Sequence, residues 1–154
     1  MELVDSTIGE IRLLSSKLVT PLKNIDLQEL VRELIRKLDL NTVIKTDFTY
    51  SVSNSVSNEF LSDDLKLNIY RIIQEQMNNI LKYAEAKNVN IAIKAQENAI
   101  SIDISDDGRG FDVEKKRNGI GISNMINRIE SFNGEVAIES SPGKGCKISF
   151  KIAL

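Results

Sequence analysis

Apolar residues recur at helical spacing in several segments of this chain. In the segment 4–18 they stand at every third or fourth position until Pro21, which cannot continue a helix. A second stripe follows Asp26, a suitable N-cap residue with Glu29 at the third helical position, and extends to Leu38. These patterns predict one helix before Pro21 and another after Asp26.

Two more helices are predicted further along the chain. Ser62 is an N-cap residue followed by two aspartates, which favour the positive end of a helix dipole, and the apolar stripe behind it ends at about Ala84. A shorter stripe over 122–132 is stopped by Asn133-Gly134. Three of the four predicted helices therefore lie after Pro21.

Alternation of apolar and polar residues predicts about five strands. The segment 43–50 is β-prone before a Ser- and Asn-rich loop over 51–58, and 89–95 and 100–104 form a hairpin that ends at Asp106. Two last strands flank the turn Ser141-Pro142-Gly143. The predicted fold class is α+β, a two-layer α/β sandwich with helices on one face of a mixed, mostly antiparallel sheet.

Composition and charge exclude several function classes. With 42% apolar side chains and a formal net charge of −2, the 154 residues suit one compact domain and argue against a nucleic-acid-binding surface. No apolar run approaches the roughly 20 residues of a membrane span, and no signal segment opens the chain, so we expect a cytoplasmic domain without membrane contact. The absence of histidine, with Cys146 as the single cysteine, excludes internal disulfides, cysteine-rich zinc sites and Ser-His catalysis.

Asp106 stands at the end of the predicted hairpin, before Gly108 and Gly110. The glycines let the backbone approach a flat ligand closely. An ionised carboxylate accepts hydrogen bonds and donates none, so here it favours the exocyclic amine of adenine and repels the carbonyl of guanine. The stretch indicates an adenine site, although an ordinary polar turn has the same composition.

Gly119, Ile120 and Gly121 precede the last predicted helix. The first amides of a helix have no intrahelical partner and attract phosphate oxygens, and the glycines clear the approach. A flexible loop is the alternative reading. The charged segment 111–118 between the two glycine pairs suits either a lid over a ligand or a solvated loop.

Four polar residues lie near one edge of the apolar stripe of the third helix: Glu75, Asn79, Lys82 and Tyr83. Asn79 offers a neutral oxygen to Mg²⁺, and Glu75 can order a metal-bound water or act as a base. Lys82 can reach a phosphate, and Tyr83 can donate its hydroxyl to a phosphate or a sugar. Without the glycine motifs, these residues would fit the hydrophilic rim of an amphipathic helix.

The order of these motifs resembles a known family. Along the chain stand Gln74-Glu75-x-x-x-Asn79-x-x-Lys82-Tyr83-Ala84, Asp106-x-Gly108-x-Gly110-Phe111, Gly119-Ile-Gly121-Ile and Ser141-Pro142-Gly143-Lys144-Gly145. Together they resemble the catalytic ATP-binding domain of sensor histidine kinases, within the superfamily that holds the gyrase and MutL ATPases, over about 58–154. The resemblance implies the Bergerat-type ATP-binding fold with ATP and Mg²⁺ as ligands.

The resemblance also implies a role for each motif residue. Asn79 is the magnesium ligand and Asp106 the adenine anchor. Glu75 and Lys82 are the catalytic candidates, and an acid beside the phosphoacceptor histidine is an equal candidate for the base. The other implied nucleotide-binding residues are Lys82, Tyr83, Gly108, Gly110, Gly119, Ile120, Gly121 and Cys146.

Some positions refine this resemblance. The short lid and the stretch Ile11-Arg12-Leu13-Leu14 with Pro21 are similar to the nitrate-sensor-like subgroup, which usually has histidine where Tyr83 stands. Cys146 departs further, because the family usually has a threonine there that helps hold water beside the adenine. A thiol is a weak donor and a weak acceptor, so that part of the water network is expected to differ.

A histidine kinase needs a phosphoacceptor histidine, and this chain has none. The resemblance therefore implies a fragment, with 1–22 as the end of a dimerisation and phosphotransfer hairpin and 23–154 as the catalytic ATP-binding domain. The implied partners are the phosphoacceptor hairpin of the full-length kinase, a second copy in a homodimer, and the receiver domain of a response regulator.

Two other functions remain open at this stage. An anti-sigma-type serine kinase of the same superfamily would keep the nucleotide pocket and use another acceptor, but the segment 11–21 disfavours it. A non-catalytic nucleotide-sensing module would bind without transfer, and the presence of both Asn79 and Asp106 weighs against it.

Overall fold

The computed structural model describes residues 24–56, 61–116 and 120–154. The helix predicted over 4–18, and with it the predicted end of a hairpin at 1–22, lies outside the described residues. The described elements are α1 (Leu27–Asn41), β1 (Lys45–Val52), α2 (Asp63–Asn79, continued by a π-helical turn, Ile80–Ala84), β2 (Asn88–Gln96), β3 (Ala99–Asp106), α3 (Val113–Lys116), α4 (Ile120–Ser131), β4 (Glu135–Ser140) and β5 (Cys146–Ala153).

The strands of the described ranges form one sheet in the order β1-β2-β3-β5-β4. β1 is parallel to β2, to which α2 connects it, and every other neighbouring pair is antiparallel. This arrangement confirms the predicted mixed, mostly antiparallel sheet. The register pairs Asp106 with Val89 on one side and with Cys146 on the other, so the end of β3 is held between two strands.

One face of the sheet is apolar and packs against the helices. Alternate residues of the central strands, such as Ile91, Ile102 and Ile148, are at most 2% exposed and join helical residues in one core. The opposite face is polar, and on it Asp103 contacts Ser149 and Lys147. This one-sided burial confirms the two-layer α+β sandwich.

The two helix caps predicted from the sequence are confirmed. Asp26 caps α1 by accepting a hydrogen bond from the Glu29 amide at 3.1 Å. Ser62 caps α2 by accepting one from the Leu65 amide at 3.2 Å. None of the helices in the described ranges is long and apolar enough to cross a bilayer.

Two element boundaries differ from the prediction. β1 begins at Lys45 and extends to Val52, because its backbone pairs with β2 as far as Ala95, whereas Val43 stays outside the strand and is 92% exposed. α4 begins at Ile120, ahead of the apolar stripe over 122–132. Gly121 therefore lies within the first turn of this helix and does not precede it.

Candidate active site

A cavity of about 750 Å³ opens between α2, the end of β3 and the start of α4. Its size is typical of a site for a small organic ligand. The lining residues are Glu75, Gln76, Asn79, Ile80, Lys82, Tyr83, Ala84, Asp106, Gly110, Phe111, Lys115, Gly121, Ile122 and Cys146. The fold therefore brings together most of the residues that the motifs singled out.

Three of the predicted site residues are not among the described residues that line the cavity. Gly119 lies outside the described residues, and of Ile120 only the backbone is described, at the start of α4. Gly108 packs against protein: a β-carbon there would collide with the Ala84 carbonyl oxygen and lie 2.8 Å from Asp106 Oδ1. Its lack of a side chain thus serves the approach of two backbone segments.

The C-terminal end of α2 is a π-helical turn, a wider turn that often occurs at functional sites. This turn carries Lys82 and Tyr83 at the cavity, and Glu85 ends it in a left-handed conformation with φ of 52°. The last carbonyls of a helix lack intrahelical partners, and that of Ala84 accepts a hydrogen bond from the Arg109 amide at 2.7 Å. The end of α2 is thereby joined to the loop that follows Asp106.

Asp106 is the last residue of β3, and its side chain lines the cavity. Partial burial raises the pKa of its carboxyl, and the neighbouring charge of Asp107 acts in the same direction. Hydrogen bonds from the backbone amides of Gly108 and Cys146 oppose this shift; the Gly108 amide donates to Oδ1 at 2.9 Å. The carboxylate is thus held in one position from which it can accept a hydrogen bond from a ligand.

Two glycines allow the Asp106 loop to contact the turn between β4 and β5. Gly110 and Gly145 have φ values of +62° and +68°, a region that side chains disfavour. A β-carbon would overlap the Ser141 carbonyl oxygen at Gly110 and the Asp106 carbonyl oxygen at Gly145. Gly145, in the turn between β4 and β5, therefore allows this turn to pack against the backbone of Asp106.

Asp107 has a structural role that the sequence did not reveal. Its Oδ1 accepts hydrogen bonds from the backbone amides of Lys87 and Asn88 at 2.8 and 2.9 Å, and its Oδ2 accepts one from Asn88 Nδ2 at 2.7 Å. These bonds hold the pKa of Asp107 at about 2, with the Asn88 amide as the largest cause. Asp107 fixes the start of the loop to the start of β2, whereas its neighbour Asp106 lines the cavity.

We expect Asp107 to contribute to acid sensitivity. Its pKa is lowered from 3.8 to about 2 in the folded chain, so the stabilisation is present above the unfolded value and is lost as the pH falls through the folded value. In Asp107→Asn this titration is absent. The free energy of unfolding, measured with denaturant, should therefore decrease less between about pH 5 and about pH 2.5 than in the wild type. An equal decrease in both proteins would contradict this role.

Where α4 begins beside α2, the side chains of Glu75 and Asn79 lie next to Gly121. A β-carbon on Gly121 would lie 2.7 Å from Glu75 Oε1 and 3.4 and 3.5 Å from Asn79 Oδ1 and Nδ2, so the Asn79 amide is beside this position with both its atoms. Carboxylate and amide oxygens suit Mg²⁺, which usually keeps waters and takes few protein ligands. Across the described ranges no three His, Cys, Asp or Glu side chains converge on a metal site, so a metal here would also need oxygens from a ligand.

Cys146 lies beside Asp106 at the start of β5 and is buried. Burial raises the pKa of its thiol to about 11, and the charge of Asp106 adds to the effect. The group is therefore a neutral thiol, which forms only weak hydrogen bonds, and it lines the cavity.

Sequence reasoning missed part of the cavity wall. Gln76, Ile80 and Ala84 line it from one row of α2, at intervals of four residues, and Ile122 lines it from α4. The spacing of the row could have indicated that these residues share a face. Nothing in the local sequence showed that this face borders a cavity as well as the core.

Comparison with known proteins places this geometry in a family. The family described as "Histidine kinase-, DNA gyrase B-, and HSP90-like ATPase" matches residues 64–154, more than half of the chain. The chain is 39% identical over 94 residues to sensor histidine kinase ComP of Bacillus subtilis (strain 168), covering 59% of this chain and 12% of ComP. It is 25% identical over 159 residues to the signal transduction histidine-protein kinase/phosphatase DegS of Brevibacillus brevis, covering 99% of this chain and 39% of DegS.

The fold is also similar to a solved structure. The Erythrobacter litoralis EL346 blue-light activated histidine kinase superposes with a TM-score of 0.66 at 16% identity, over 83% of this chain and 40% of that one. The chain thus spans less than half the length of each of these three proteins. The family match, together with the cavity that unites its motifs, shows that the chain belongs to the histidine kinase-, DNA gyrase B- and HSP90-like ATPases.

Proposed function

We propose that this chain is the ATP-binding catalytic domain of a two-component sensor histidine kinase. It binds ATP with Mg²⁺ and presents the γ-phosphate to a histidine outside this sequence. The observation that carries the proposal is the cavity, in which Asp106 lies at the strand ends while Asn79 and Glu75 lie beside Gly121 at the start of α4. The names of the relatives ComP and DegS support the choice of a histidine kinase within the family.

In this proposal the two ends of the cavity bind different parts of ATP. Asp106 accepts a hydrogen bond from the exocyclic amine of adenine. The first turn of α4 at Gly121 faces the phosphates, where the unpaired amides of a helix start favour negative charge. Lys82 and Lys115 add positive charge at the cavity wall.

Asn79 is the proposed protein ligand of Mg²⁺, and Glu75 the group that orders a water beside it. The ion, when bound, neutralises phosphate charge. The side-chain oxygens of both residues fit this ion, because Mg²⁺ takes oxygen ligands. Glu75 is also a candidate base, together with an acid beside the acceptor histidine.

The proposed reaction is a phosphoryl transfer governed by positioning and charge neutralisation. An imidazole nitrogen of the acceptor attacks the γ-phosphorus, the bond to the β–γ bridging oxygen breaks, and ADP leaves. The acceptor belongs to the dimerisation hairpin of the full-length kinase, whose end we predict at 1–22, before the catalytic domain at 23–154. We further propose a cytoplasmic homodimer that passes the phosphoryl group to the receiver domain of a response regulator.

Labelled ATP tests this function. Incubated with [γ-³²P]ATP and Mg²⁺, the chain is expected to remain unlabelled, because it has no histidine, and to label a separately produced acceptor hairpin from the same full-length protein. The label should be acid-labile and stable to base, as phosphohistidine is. Acid-stable label on serine would favour the serine kinase. A folded hairpin that stays unlabelled while ATP is bound would favour the nucleotide-sensing module.

A further inference from the structure

Gln76 is a buried polar residue at the cavity. The residue is only 4% exposed, yet it lines the cavity. No hydrogen-bond partner of this amide is found within the described ranges. In the same ranges, Thr46 Oγ1 is the one fully buried polar side-chain atom without a partner. Within the described ranges the Gln76 amide is therefore without a hydrogen-bond partner, on a residue that lines the cavity.

The position of Gln76 on α2 places it on the side of the cavity that faces the sheet. Ile80, four residues later in the same row, is 2% exposed and packs in the core. The row ends at Ala84, whose carbonyl binds the loop after Asp106. Glu75 and Asn79 occupy the neighbouring row, which faces Gly121. Gln76 therefore lines the same cavity as Asp106 and Cys146, from the row of α2 that ends at the loop after Asp106 and not from the row of the metal-binding candidates.

Without Gln76, the described residues beside Asp106 offer no strong hydrogen-bond donor to the ring nitrogens of adenine. An ionised Asp106 only accepts hydrogen bonds, and the neutral thiol of Cys146 is a weak donor. Adenine presents beside its amine two ring nitrogens, N1 and N7, that need donors. The amide of Gln76 has two N–H donors and one acceptor, and a buried amide without a partner is costly. A nucleobase edge or its bound water would satisfy it.

We propose that Gln76 is a specificity-determining residue for the nucleobase: its Nε2–H donates to N1 or N7 of adenine, directly or through one water, while Asp106 accepts from the adjacent amine. The proposal rests on the proposed function, since it requires an adenine nucleotide in this cavity. Two side chains from different layers of the fold, one on α2 and one on β3, then recognise neighbouring atoms of one base edge.

The first test replaces the amide by an apolar side chain of similar length. Gln76→Met should weaken ATP binding about fivefold in calorimetry, the effect of one net hydrogen bond. Its thermal stability without ligand should not fall, because the amide has no hydrogen-bond partner to lose within the described ranges. Gln74→Met is the matched control: Gln74 is 5% exposed on the same helix and lies outside the cavity wall, so ATP affinity should stay unchanged.

The second test identifies the atom that is recognised. In the wild type, 1-deaza-ATP or 7-deaza-ATP should bind about fivefold more weakly than ATP, and in Gln76→Met that penalty should disappear. Equal penalties in both proteins, or unchanged ATP affinity in Gln76→Met, would overturn the role of Gln76 while ATP binding stands. A wild-type chain that binds no ATP would overturn the proposed function itself, and this proposal with it.

Discussion

Replacement of Asp106 by alanine is expected to weaken ATP binding by about 10-fold to 100-fold, because hydrogen bonds to a charged group contribute about 1.5–3 kcal/mol. Among the described residues, this carboxylate is the one acidic group that lines the cavity at the strand ends, and the Gly108 amide donates to it at 2.9 Å. The fold should be retained, because Asp106 pairs with neighbouring strands through its backbone. Calorimetric titration with ATP and GTP measures both affinity and base preference.

The matched control for this substitution is Asp103→Ala. Asp103 is an aspartate of the same strand on the opposite face of the sheet, where it contacts Ser149 and Lys147. Its removal changes the net charge equally but leaves the cavity intact, so ATP affinity should be unchanged. Unaltered ATP affinity in Asp106→Ala, or equal wild-type affinity for ATP and GTP, would contradict the assignment of the adenine anchor.

The second large effect is expected at Asn79. In Asn79→Ala the increase of ATP affinity that Mg²⁺ produces should be lost, on the order of tenfold or more, because the proposed protein oxygen ligand is missing. Binding of ATP in the presence of a chelator should change little. The measurement is a pair of titrations, with Mg²⁺ and with EDTA, for each protein.

The preceding residue provides a matched control. Asn78 stands on the same helix and does not contribute to the cavity wall. Asn78→Ala should therefore keep the wild-type response to Mg²⁺. If Asn79→Ala also kept it, direct ligation by Asn79 would be excluded, whatever its effect on phosphotransfer.

The elements of the fold were largely predictable because their signals are local. Asp26 and Ser62 cap helices through contacts within three residues, and the alternation in β2 and β3 reports the buried face directly. The order of the motifs predicted which side chains would share a site. The structure then places Glu75, Asn79, Lys82, Tyr83 and Asp106 around one cavity.

The features that escaped prediction depend on contacts between distant segments. The sequence predicts that Gly108 makes room for a ligand, but it makes room for the carbonyl of Ala84, which lies 24 positions earlier in the chain. The motif singles out Asp106 as the anchor but assigns no role to Asp107, whose structural role depends on the backbone amides of Lys87 and Asn88. Similarly, the sequence shows Gln76 only as one polar residue of an amphipathic helix, and the structure shows that it lines the cavity.

The most direct measurement is a crystal structure of this chain with Mg²⁺ and a non-hydrolysable ATP analogue. We predict the exocyclic amine of adenine within hydrogen-bond distance of the Asp106 carboxylate, and Asn79 Oδ1 bound to a magnesium ion that also contacts phosphate oxygens. The phosphates should lie beside the first turn of α4 at Gly121. An ordered nucleotide outside this cavity, or inside it with the base away from Asp106, would contradict the proposed site.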